Sequence, residues 1–319
     1  MSSASIAVQN LTSVTVLVFV LGFIAATFRS DLRLPDPVYQ VISVYLLFGI
    51  GLKGGVALHH ELPGLLPIVL TIALGMLIPA LVFQTLRLVP ALNLIDRGSI
   101  AAHYGSTSLV TFSAALVFLD TASIGYEGYA TTLLTIMEIP GILVGILLAA
   151  RGSGRHIAWG ESLREVLLGK TVVLLAGGLV IGAISGDAGY AKVQPFFVDL
   201  LPGMLALFLM HLGCIAGSQL PELRAAGPRL FGLALLFPVV GGTLGVLGAS
   251  AVGMSVGGAT VLGVLCASAS YIAAPAAVGI ALPDANRALP ITMSIGVTFP
   301  FNLVFGIPLL HALAEVVAG

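Results

Sequence analysis

Ten apolar stretches follow one another along the chain, each long enough to cross a lipid bilayer, with only short polar or Pro/Gly-containing breaks between them. A spanning helix needs about 20 predominantly apolar residues, because hydrocarbon holds no water to satisfy backbone groups left outside a helix. The runs lie near residues 10–28, 37–58, 62–86, 97–118, 128–149, 165–185, 196–217, 229–250, 257–281 and 289–313. Charged residues make up only 8% of the chain and its mean hydropathy is +1.11, so lipid must be the solvent for most of it. The expected fold is an all-α integral membrane protein of ten transmembrane helices. With 39 glycines and 17 prolines among 319 residues, those helices are expected to pack closely, bend and break.

Assigning alternate connections to opposite faces places Arg29, Arg33, Arg87, Arg97, Arg151, Arg155, Arg164, Arg224, Arg229 and Arg287 all on one side. The positive-inside rule makes that side cytoplasmic, which puts both termini outside the cytoplasm and the connector 151–165 inside it. Residues 1–10 contain no Lys or Arg, so the first apolar run reads as a retained helix and not as a cleaved signal. A formal net charge of −1 without a basic cluster argues against nucleic-acid binding. The two cysteines, Cys214 and Cys266, sit in apolar runs and encode neither a disulfide framework nor a multi-cysteine metal site.

Displacing the chain by 162 residues lays the second run over the seventh and brings Gly51 onto Gly213 and Gly55 onto Gly217. The same displacement overlays YGSTSLVTFSAA, from Tyr104, on CASASYIAAPAA, from Cys266, matching Ser106 with Ser268 and Ser108 with Ser270. A displacement of 160 then brings Glu138 and Pro140 onto Thr298 and Pro300. This predicts two five-helix repeats, 1–150 and 166–319, joined by a short connector at 151–165. An odd number of spans per repeat forces the copies to cross the membrane in opposite senses, the inverted-repeat plan of secondary transporters.

The fourth and ninth helices carry the residues most capable of binding a solute. Gly105 followed by Ser106, Thr107 and Ser108, and Ser268, Ala269 and Ser270 ahead of Pro275, are places where the helical ladder can open near mid-membrane. Unwound backbone is tolerated at that depth only around a cavity. Two interrupted helices would aim free N–H groups and partial positive charge at one point, and the hydroxyls would complete an anion cradle. Runs of small residues also occur simply to let continuous helices pack closely; the equivalence of the two stretches under one displacement favours the paired breaks. The cradle lacks the bidentate arginines expected for dicarboxylates or phosphate esters, so a small monovalent anion fits it best.

Glu138 lies within the fifth run without a basic neighbour in sequence, and a lone carboxylate at that depth must be protonated, paired or bound to a cation. With Thr131 and Thr135 on preceding turns, and Ser294, Thr298 and Asn302 supplying neutral oxygens in the tenth run, a Na⁺ or H⁺ site is expected; a buried glutamic acid bonding between helices is the alternative. Lys53, in GIGLKGG, is read as a snorkelling or packing residue before an anion attractor. His103 and His211 read as satisfied core histidines, and the HHE at 59–61 as a polar loop without zinc-protease spacing. No nucleophile with a base, aspartyl pair or metal motif appears at recognisable spacing, so the chain is read as a transporter and not an enzyme.

The segments YLLFGIGLKGG from Tyr45, IAAHYGSTSLVTF from Ile100, IMEIPGI from Ile136 and ASASYIAAPAAV from Ala267 resemble, in order, the sodium-dependent bicarbonate transporter family. The resemblance implies a bacterial inner-membrane protein with a core and a gate domain, a homotrimeric assembly and elevator-like alternating access. It implies Na⁺/HCO₃⁻ symport, with bicarbonate held by Gly105, Ser106, Thr107, Ser108, Ser268, Ala269 and Ser270, Na⁺ co-transported close behind, and no organic cofactor. It also implies a cytoplasmic PII-like regulator, which the short connector puts in question. A Na⁺/H⁺ antiporter, or a sodium-coupled carrier of another small monovalent anion, is the alternative.

Overall fold

The computed structural model describes residues 10–153 and 159–319; the expectations for Arg155 and for the chain before residue 10 fall outside them. The chain is 81% helix, with no strand among the described residues. Eight helical stretches there, two of them interrupted (Leu94–Thr121 and Ala130–Arg151), are long and apolar enough to cross a membrane, and two of the ten expected runs form shorter apolar helices instead. The first is α1, Val14–Thr27, with the Ser13 hydroxyl accepting from the Val16 amide at its start. The other is the first part of the ninth run, which stops where its serines begin.

In chain order the remaining elements are α2 (Asp36–Ala57), α3 (Leu65–Thr85), α4 (Leu94–Gly105), α5 (Leu109–Thr121), α6 (Ala130–Met137) and α7 (Pro140–Ser153). Then come α8 (Trp159–Leu168), α9 (Lys170–Ala191), α10 (Leu201–Ser218), α11 (Leu220–Ala226), α12 (Pro228–Ala251), α13 (Val256–Ala267) and α14 (Ala273–Ala281). The last, α15 (Ala288–Val317), includes two π-helical stretches on either side of Pro300. Proline lacks an amide hydrogen and crowds the preceding turn, which widens the helix there. The connector expected as a loop contributes α8, a helix whose Trp159, Leu163 and Leu167 are exposed while Ser162 and Val166 are buried.

Two sets of helices emerge from the packing. In one, α1 lies along α10 and α2 along α9; in the other, α3 packs on α4 and α7, α4 on α7, α12 on α13, and α13 on α15. Glycines set the pairings of the first set. A Cβ on Gly51 or Gly55 would collide with the carbonyls of Leu175 or Leu179 in α9, and one on Gly213 or Gly217 with those of Phe19 or Phe23 in α1. In lipid no hydrophobic effect drives helices together, so such backbone proximity and the dispersion contacts it permits hold the pairs.

The ends of the bundle differ in character. At one end the Asn286 amide donates to Asp96, near Arg97 and Arg287. At the other Glu61 accepts from the Gly128 amide, and Glu127 accepts from the amide and hydroxyl of Ser255 at the start of α13. A carboxylate at a helix N-terminus satisfies donors that have no intrahelical partner. Hence α4 and α5 run from the arginine-bearing end towards the acidic end, and α13 and α14 run the opposite way.

Candidate functional site

Both expected breaks are present. After Gly105 the backbone leaves the helix, with Ser106 and Ser108 extended, and α5 restarts with the Ser108 hydroxyl accepting from the Thr111 amide. After Ala267 it leaves again, with Ser268 extended, and the Ser270 hydroxyl accepts from the Ala274 amide in the first turn of α14. Serine suits both positions because its short side chain replaces the acceptor that a helix start lacks.

The two breaks meet. The Ser108 amide donates to the Ser268 hydroxyl at 2.9 Å, and the Ser270 amide donates to the His103 carbonyl at 2.7 Å. The Ser268 hydroxyl in turn donates to the Leu265 carbonyl. Each break thereby satisfies polar backbone of the other, which explains how extended chain persists in a buried, apolar setting. Gly105 seats the first break against α3 and α7: it lies against Pro79 and Gly141, and a Cβ on Gly141 would land on the Gly105 carbonyl.

Glu138 sits at a third interruption, between α6 and α7, where Pro140 removes a donor. Its side chain is 1% exposed, and its two carboxylate oxygens accept from the hydroxyls of Ser106 at 2.8 Å and Thr107 at 2.9 Å. Among the described residues no Lys, Arg or His forms an ion pair with it. With both oxygens accepting from hydroxyls, the side chain keeps lone pairs that a cation could share.

Thr107, Ser108, Leu109, Glu138, Thr171, Ser270, Tyr271, Ile272 and Ala273 enclose a small cavity at this junction. The starts of α5 and α14 both line it, and the first amides of a helix have no intrahelical acceptor. It shares Thr171, Ile272 and Ala273 with a larger cavity of about 240 Å³ towards the arginine-bearing end, bounded also by Glu165, Gly169 and Lys170.

Of the seven residues expected to cradle the anion, Thr107, Ser108 and Ser270 line the cavity directly. Ser106 is committed to Glu138, Ser268 bridges the breaks, and Gly105 and Ala269 are buried behind. The six residues expected around Na⁺ are not brought to one place. Thr135 bonds back to the Thr131 carbonyl, and Thr131 lies against Gly54. Ser294 bonds to the Pro290 carbonyl one turn earlier. Thr298 donates to the Ala234 carbonyl and accepts from the Tyr104 phenol, while the Asn302 amide donates to the Ala267 carbonyl at 2.8 Å. Thr298 and Asn302 therefore brace the crossing from α15, as Glu138 does from the α6–α7 junction. The Asn302 Oδ1 is buried without a partner among the described residues.

Two polar lining residues, Tyr271 and Thr171, were not among the residues expected from the sequence. Tyr271, whose hydroxyl accepts from Ser108 at 3.3 Å, adjoins the second break, and an aromatic hydroxyl in that apolar run was the available signal. Thr171 opens α9, and nothing in the sequence distinguishes it from other polar residues at the start of an apolar run. His211 accepts from the Leu34 amide and stacks on Tyr39, as a core histidine would. His60 meets Asp187 at an exposed end of the bundle.

No curated protein matches the chain. The family model of the Na⁺-dependent bicarbonate transporter superfamily, however, matches residues 14–315, nearly its whole length, and the chain with its paired helix breaks and hydroxyl-bound Glu138 belongs to that superfamily.

Proposed function

We propose that the chain is a Na⁺/HCO₃⁻ symporter that alternates access by moving one set of helices against the other. The observation that carries this reading is the convergence of the starts of α5 and α14 beside Glu138, around a cavity of about 10 Å³ that shares three lining residues with the larger one towards the arginine-bearing end. The helix ends and the Tyr271 hydroxyl offer donors to a monovalent oxyanion. Glu138 and neighbouring neutral oxygens offer the hard, oxygen-only environment an alkali cation takes. Na⁺ and bicarbonate together add no net charge to the site, so taking up the pair costs less in lipid than taking up either ion alone. Gly105, Ser106, Thr107, Ser108, Ser268, Ala269 and Ser270 form or support the anion cradle in this scheme, and Glu138 is the principal Na⁺ ligand.

Ten crossings in two inverted repeats are part of the proposal. Exchanging the halves turns the pairing of α1 with α10 into that of α9 with α2, and Gly51 and Gly55 do in one pair what Gly213 and Gly217 do in the other. The division into two sets, one of which bears the breaks, supports an elevator-like motion, since the cavities lie where the two sets face each other. The arginine-bearing end is assigned to the cytoplasm of a bacterial cell on the charge bias.

The test is uptake of labelled bicarbonate by sealed proteoliposomes under an inward Na⁺ gradient, with K⁺ replacing Na⁺ as control and CO₂ leakage subtracted. Uptake that requires Na⁺ supports the symporter. Folded protein that takes up none, but exchanges Na⁺ for H⁺, establishes the antiporter instead.

A further inference from the structure

On the acidic side of the crossing a third cavity, of about 160 Å³, opens between the two sets of helices. Ile50 and Lys53 of α2, Ser113, Val117 and Asp120 of α5, Thr131 of α6 and Phe197 ahead of α10 are among its walls. A cavity needs about 10–15 Å³ to admit one water, so the space holds a small ion with its hydration shell.

Lys53 is the only basic residue in that wall. It stands four positions before the end of α2, followed by Gly54 and Gly55, which bring Thr131 and the α9 backbone close. Among the described residues no carboxylate forms an ion pair with it. The one acid in the wall, Asp120, lies against the Tyr126 phenol. Lys53 is exposed where it lines this cavity and makes no direct ion pair among the described residues, and Asp120 is the one acid that shares the wall with it. The 162-residue displacement places Ile215 at the equivalent position in the second half, so this charge has no counterpart there.

We propose that Lys53 makes this cavity a waiting station for a small monovalent oxyanion on the acidic side of the transport path; the identity of the ion as bicarbonate rests on the symport reading above. The station holds its guest loosely. Ser113 spends its proton on the Leu109 carbonyl and Thr131 is packed against Gly54, which leaves the ammonium as the chief donor. One charge concentrates an anion locally without trapping it, and α5 leads from this cavity back to Ser108, where the helix begins.

The experiment places a reporter thiol by Val117→Cys, with Cys214→Ala and Cys266→Ala removing the native thiols, in purified protein reconstituted in liposomes. The rates of reaction with an anionic sulfonatoethyl and a cationic trimethylammonioethyl methanethiosulfonate are then compared. Lys53→Met is expected to lower the anionic-to-cationic rate ratio about 3- to 10-fold at low salt, Lys53→Arg to preserve it, and Asp120→Asn to raise it. In uptake assays Lys53→Met is expected to raise KM for bicarbonate by a similar factor with kcat unchanged. A ratio that Lys53→Met leaves unmoved overturns the station. The ratio decides this even if no bicarbonate uptake is found, so failure of the symport reading is seen separately.

Discussion

The amide of Ser108 and the hydroxyl of Ser268, 160 residues apart in the chain, meet at 2.9 Å and join the two helix breaks. Both partners are buried, so removal of one leaves the other without water to replace it. Ser268→Ala should cost about 1–3 kcal/mol through the orphaned Ser108 amide, and should lower uptake at least roughly tenfold by loosening the cradle. Thermal unfolding in detergent and initial uptake rates measure the two effects. A variant as stable and active as the parent would mean that the bond contributes nothing.

Glu138 invites a substitution that keeps shape and removes charge. Glu138→Gln still offers a carbonyl oxygen to Ser106 or Thr107 but has only a neutral dipole for a cation. The Na⁺ concentration for half-maximal uptake should rise about tenfold or more, with the bicarbonate KM affected less at saturating Na⁺. Equal loss at every Na⁺ concentration would instead assign Glu138 to holding the break.

How far the sequence reveals this arrangement depends on the range of the interaction that decides it. Apolar run length locates the spans, because it reflects a constraint imposed by lipid on each segment separately. The breaks at Gly105 and Ser268 are also visible, since glycine, hydroxyls and a nearby proline weaken a helix locally. Glu138 stands out by its cost. The partners of these groups do not: Tyr104 reaches Thr298, and Asn302 reaches Ala267, across folds of chain that no local pattern reports. Thr131, Thr135 and Glu138 share one helical face in sequence, yet the interruption after Met137 and the bond of Thr135 to its own backbone separate their roles. The helix Trp159–Leu168 was hidden for another reason, because ten residues of mixed polarity resemble a loop when only spans are sought.

The glycine contacts make a steric prediction. At Gly55 and Gly217 a leucine side chain would have to displace the facing backbone of α9 or α1, so Gly55→Leu and Gly217→Leu should each reduce the yield of monodisperse protein severalfold. Gly177, whose Cβ would meet nothing within 4 Å, is the control, and Gly177→Leu should be recovered normally. Size-exclusion profiles at matched expression make the comparison.

Access to the site should be one-sided in the conformation described. Ala273 lines both the site and the cavity leading to the arginine-bearing end. In a background without native thiols, Ala273→Cys should react with a membrane-impermeant maleimide from that end, and Na⁺ with bicarbonate should slow the reaction severalfold. Equal labelling from both ends, indifferent to either ion, would argue against a closed path on the acidic side.

The mutual satisfaction of the two breaks has a consequence for biogenesis. His103 and Ser108 leave the ribosome well before Ser268 and Ser270 exist, yet their exposed backbone groups find partners only there. During synthesis the first half must therefore wait in the membrane with an unfinished segment, shielded by water, lipid headgroups or the insertion machinery. A chain truncated before α13 would carry that segment permanently, which marks it for quality-control proteolysis and makes the last fifth of the polypeptide the step that commits the protein to its native state.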